Sequence, residues 1–135
     1  MKAMVKFLVV ITVLVAVSVS FAKAPLTQPD LNLAKKSYLN ALDSDNAGVR
    51  NSAMFQIIKL KATYPDENVK AYVNKVKKIS ENDPFYSMRS HAHLTMMFLE
   101  NSELAKLVNP EDYPDPDSFF NSFYTKLTEN ELAMK

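Results

Sequence analysis

The chain of 135 residues has no cysteine, a single glycine and only two arginines. Without cysteine no disulfide can staple the fold, so in an oxidising compartment its stability must come from packing. The same absence excludes an acylated lipoprotein form, which needs a cysteine after the leader. A single glycine excludes glycine-rich phosphate loops. Catalytic constellations are lacking too: no serine lies in a recognisable nucleophile elbow, and no carboxylates are held at fixed separation on a rigid frame. The acidic residues Glu111, Asp112, Asp115 and Asp117 crowd a proline-rich stretch whose spacing lacks the glycine turn and terminal glutamate of a calcium loop. These gaps point to a protein that is not an enzyme and carries no cofactor.

What is present is 47% apolar residues, ample for one core in a single domain. The first 24 residues read separately. Lys2 and Lys6 precede an apolar run over 7–17, and small residues follow over 18–24. That is the three-part layout of a secretory signal peptide, with cleavage expected after Ala22 or Ala24. The run falls short of the roughly 20 apolar residues a membrane span needs. Removal of 1–24 takes Lys2, Lys6 and Lys23 with it, leaving 13 basic against 15 acidic side chains. A mildly acidic mature chain has no long-range pull on phosphate backbones, which argues against nucleic acid as a partner. The expected product is exported, periplasmic or extracellular, with no stable membrane insertion after cleavage.

Helical periodicity runs through the rest. Pro29 and Asp30 are placed to open a helix whose apolar stripe is Leu31, Ala34, Tyr38, Ala41 and Leu42. Polar turn formers over 43–48 break it, and Asp45 or Asn46 can cap the next helix, carried by Val49, Ala53, Ile57, Leu60 and Tyr64. Pro65 ends that helix, and Asp66 with Glu67 is expected to begin a third, whose buried face is Val69, Tyr72, Val73, Val76 and Ile79. Its back, with Lys70, Lys75, Lys77 and Lys78, reads as a solvated face. Asp83 and Pro84 are placed to open a fourth helix. Residues 109–117 read as an acidic, proline-rich connector, after which Asp117 or Ser118 should cap a last helix with Phe119, Phe120, Phe123, Tyr124 and Leu127 as an aromatic face. The tail from Thr128 is expected to fray.

The two arginines carry a repeat. Val49, Arg50, Ala53 and Ile57 return 39 residues later as Met88, Arg89, Ala92 and Met96. A period near 40 residues indicates stacked helical hairpins. With a leucine, an acidic turn, Val-Arg, then alanine and an aliphatic, residues 31–100 resemble two HEAT repeats; the second copy has two extra turn residues and methionines in two aliphatic places. The resemblance implies an all-α fold: a right-handed stack of antiparallel hairpins over 25–108, closed by the aromatic helix and tail of 118–135 as a cap. It implies that the alanines let paired helices approach closely. It also implies that the arginine bonds an acidic turn residue of a neighbouring repeat, so that Arg89 meets Asp43 or Asp45. Domains of this kind bind along the ridge made by one layer of helices. An unidentified protein partner is therefore expected, with Asn51, Gln56, Ser90 and His93 as contact candidates.

A second reading concerns metal. His91 and His93 lie two apart, so on a helix they point roughly 200° from each other and cannot share an ion. His93, Met96 and Met97 do share a face, and imidazole with thioethers suits Cu(I). Periplasmic copper binding through these three is the alternative function.

Overall fold

The structure is a computed structural model and describes residues 25–133. It is all-helical, with no strand among the described residues. The helices are α1 (Gln28–Leu42), α2 (Ala47–Thr63), α3 (Lys70–Asn82), α4 (Tyr86–Glu100), the single turn α5 (Ser102–Ala105) and α6 (Pro116–Ala133), with a 3-10 turn at Pro110–Asp112 before the last. Among the described residues no helix is long and apolar enough to cross a membrane. The expected signal peptide, 1–24, lies outside the described residues.

Compactness divides the chain between residues 33 and 34, inside α1. The described part of the first unit holds the start of α1, where Thr27 and Asp30 form a reciprocal cap. The Thr27 amide and hydroxyl donate to the Asp30 carboxylate at 3.2 and 2.7 Å. These bonds, the side-chain one first, hold the Asp30 carboxyl below its ordinary value.

The second unit, 34–135, contains the core. Its buried side chains include Met54, Phe55, Ile57 and Ile58 from α2, Tyr72, Val76 and Ile79 from α3, Ala92, Leu94, Phe98 and Leu99 from α4, and Phe119, Phe120 and Phe123 from α6. Within it α4 packs against α2, α3, α5 and α6, and its closest neighbour is α3. Ala92 is wholly buried and Ala53 almost so. The missing side-chain bulk at both places lets backbones approach.

The turns differ from the pattern-based expectations in instructive ways. Asn46 caps α2 as anticipated, accepting from Val49 N at 3.2 Å, but the helix already includes Gly48, which had been counted in the turn. A methyl group on Gly48 would sit 3.1 Å from the capping oxygen of Asn46, so glycine keeps that cap uncrowded. Helix α3 starts at Lys70, not at Asp66 and Glu67. Residues 65–68 are held instead by Lys61, whose ammonium donates to the Pro65 and Glu67 carbonyls, and by Asn68, which accepts from Lys70 N at 3.0 Å.

Helix α4 starts at Tyr86, two residues after Pro84. Pro84 biases Asp83 to an extended conformation, and Asp83 ends α3 rather than opening α4. Helix α6 is capped by Asp115, not by Asp117 or Ser118, because Pro116 takes the first helical position. The Asp115 carboxylate accepts from Ser118 N at 2.8 Å and Ser118 Oγ at 3.0 Å, and the backbone bond foremost holds its carboxyl below the ordinary value. The helix runs on to Ala133 in place of the expected frayed tail. Thr128 Oγ1 donates back to Tyr124 O at 3.0 Å, and Leu127 is buried. The expected connector, 109–117, is not uniformly solvated: Pro110 is buried, and the Tyr113 ring meets Phe119 edge-on while its hydroxyl bonds Ser122 at 2.6 Å.

Candidate functional site

The two arginines, equivalent in the sequence pattern, have unlike surroundings. Arg50, near the start of α2, is buried. Its Nε donates to Asp83 Oδ2 at 2.8 Å and its Nη2 to Asp83 Oδ1 at 3.2 Å, a two-pronged pair with only a few per cent of the carboxylate side chain exposed. The remaining Nη1 donates to Ser44 O at 2.9 Å. Asp83 is therefore a hub, because Phe85 N also donates to its carboxylate at 3.0 Å and Arg89 Nη1 to its carbonyl at 2.6 Å. Arg89 is half-buried, and its guanidinium lies 5.8 Å from the centre of the exposed Tyr86 ring. It meets neither Asp43 nor Asp45. The Asp43 carboxylate accepts instead from Lys75, whose ammonium also donates to Leu39 O. An arginine does reach the acidic turn of the other copy, but it is Arg50 reaching forward to Asp83 rather than Arg89 reaching back. The Arg89 guanidinium is engaged instead by the Asp83 carbonyl and the Tyr86 ring.

A second, partly buried polar cluster joins α2, α4 and the start of α6, with Asn51 buried, His91 half-buried and Asp117 exposed. Asn51 is buried, donating through Nδ2 to Asp117 Oδ1 at 3.0 Å, and its Oδ1 lies 2.8 Å from His91 Nδ1. Asn51 Oδ1 can only accept, so His91 carries a proton on Nδ1. The His91 ring stacks on Phe120 at 4.3 Å between centres. Burial pushes its pKa below 6.5, partly opposed by the Asp117 carboxylate. Asn51 thus holds helices together and does not stand on an accessible ridge, which corrects its assignment as a partner contact. The cluster was invisible in the sequence because Asp117 is 66 residues from Asn51 and each residue has an ordinary local role.

Of the other contact candidates, Gln56 and His93 are exposed and Ser90 is half-buried. Gln56 borders a shallow groove of about 540 Å³ that also takes in Tyr38, Ala41, Val49 and Ala53. The groove lies where α1 turns into α2, and Val49 is exposed there where its counterpart Met88 is buried. Of the three possible copper ligands, His93 and Met97 are exposed one turn apart on α4, while Met96 leans onto the core. Among the described residues no group of three or more histidine, aspartate or glutamate side chains could hold a metal ion.

Two further clefts lie among the described residues. One of about 400 Å³, beside Asp43, Lys75 and Asp83, is polar. The other, of about 540 Å³, lies between the ends of α2 and α4 and is floored by Phe98, Leu99, Val108 and Pro110. Below the surface, the Tyr72 hydroxyl is buried without a hydrogen-bond partner, and burial together with Tyr38 and Glu67 pushes its pKa up to about 12. Comparison with protein-family models, curated proteins and solved structures finds no match to this chain.

Proposed function

We propose that the chain is an exported, non-enzymatic, HEAT-like repeat protein that serves as a small protein-binding or assembly module. Two helical hairpins stack in this reading, and the aromatic helix α6 closes their far end. The observation that carries it is the forward contact of Arg50 with Asp83: the arginine of one copy bonds the acidic turn of the next, the type of contact that fixes the spacing of neighbouring repeats. Burial of Ala53 and Ala92 at matching positions supports it, as do the ring contacts of Phe119 with Phe55 and Phe98.

The binding surface in this reading is the exposed side of α2 and α4, with Gln56 and His93 as its polar contacts and Val49 and Met97 as its apolar ones. A surface of this mixed kind suits a protein partner. Site-specific photo-crosslinking in the native cell envelope tests it directly. A crosslinker at Gln56 or His93 should give one discrete adduct, and the same group at Lys77, on the outer face of α3, should give none. Equal, diffuse labelling at all three positions, with the chain recovered alone as a monomer, overturns the proposal.

A further inference from the structure

The cleft between the ends of α2 and α4 has the features of a small-molecule site, which the protein-binding reading does not use. Its volume of about 540 Å³ lies within the range of ligand pockets, roughly 300–1,000 Å³. Its floor is preformed, because Phe98, Leu99, Val108 and Pro110 are all buried parts of the core that need no rearrangement to present an apolar surface. Its mouth is open beside Ala62, a small exposed residue.

Charge at the rim is asymmetric: Lys61 and Lys106 stand against Glu100. Lys106 is paired with the neighbouring Glu103 at 3.0 Å in a fully solvated contact, which is weak. Lys61 differs. It is half-buried, and its ammonium is fixed by two backbone carbonyls, those of Pro65 and Glu67, rather than by a carboxylate. An ammonium has three N–H donors, so one remains for a third acceptor, and among the described residues its charge has no carboxylate counter-ion at hydrogen-bond distance. An oriented cation at the edge of a rigid apolar floor matches a ligand with a hydrocarbon body and one anionic head.

We propose that this cleft binds a medium-chain carboxylate, with its hydrocarbon body on Phe98, Leu99, Val108 and Pro110 and its carboxylate on Lys61 Nζ. An anionic head is the better match, since the rim carries two lysines against one glutamate and Lys61 has an N–H donor to spare. The body must be apolar, since nothing on the floor can hydrogen-bond it through a side chain.

Titration of the purified full chain with hexanoate, heptanoate and octanoate below their micelle concentrations, followed by calorimetry and amide NMR, tests this. Saturable binding is expected, tightening roughly four-fold per added methylene, with shifts centred on Ala62, Leu99 and Ala105. Lys61→Met keeps the stem and removes the charge. It should weaken octanoate roughly tenfold and 1-octanol much less, since only octanoate carries a charge for Lys61 to meet. Ala62→Trp fills the mouth from an exposed position and should abolish both, while far-UV circular dichroism shows both variants folded. Absence of saturable binding in the wild type overturns the proposal. So does binding that neither variant alters.

Discussion

Arg50, near the start of α2, and Arg89, near the start of α4, occupy the same place in the sequence pattern, yet only Arg50 is buried, against an aspartate from the turn before α4. Arg50 is enclosed with a partner on each guanidinium nitrogen, whereas Arg89 is half in solvent with one carbonyl and one ring face for company. Around them, Val49 is exposed and Met88 buried, while Ile57 is buried and Met96 only partly so. Of these four pairs only the alanines are buried at both places. Positions that match in the sequence pattern therefore need not match in their surroundings, and only the least bulky pair is buried at both places.

The largest test of this asymmetry is removal of each arginine. Arg50→Ala strands the Asp83 carboxylate in the interior and should destabilise by about 3–5 kcal/mol in urea unfolding. Arg89→Ala loses one charged hydrogen bond and a ring contact and should cost roughly 1–2 kcal/mol. Equal losses would make the copies equivalent and break the comparison. A double-mutant cycle of Arg50→Ala with Asp83→Ala sharpens it, because the pair should show strong coupling.

The alanines give the next effect. Leucine at Ala92, wholly buried in the core, should overpack it by about 1–3 kcal/mol. Leucine at Ala53 can extend into the groove beside Tyr38 and Val49, so its cost should stay below about 1 kcal/mol in the same urea melts. A reversed order would show that the first helix pair, not the second, is the tighter one.

The smallest expected effect is on pH. His91 titrates below 6.5 in the folded chain because burial disfavours its charged form. The unfolded chain then binds more protons below pH 6.5, so stability is fully present above that pH and falls as the solution is acidified toward the folded value. Urea midpoints between pH 8 and 5 should show this slope, and His91→Gln should flatten it. A slope that survives the substitution would assign it to other groups.

The helical class, the burial of Phe119, Phe120 and Phe123 and the burial of both alanines could be read from local period and residue size, whereas the cap of α2 was narrowed only to Asp45 or Asn46, and Tyr124, counted on the aromatic face, is exposed. Where helices begin was less legible. Pro84 and Pro116 shift the start of a helix through backbone sterics, and the capping side chains, Asp115 and Asn68, are chosen by geometry that neighbouring acidic residues obscure. Long-range polar partners were not legible. Arg50 to Asp83 spans 33 residues and Asn51 to Asp117 spans 66, and nothing in either neighbourhood marks one of several acids as the partner. The candidate surface lost Asn51 for that reason. Gln56 and His93, whose exposure follows from helical position, remained.

The 66-residue span between Asn51 and Asp117 also bears on how the chain reaches this state. The α3–α4 pair closes over a three-residue turn, so its loop-closure entropy is small, and it is the natural nucleus. Docking of α6 must await that nucleus, since its landing place is built from α2 and α4 together. Conservative substitutions in α3 and α4 should therefore slow refolding, while those at Phe120 or Asn51 should chiefly speed unfolding.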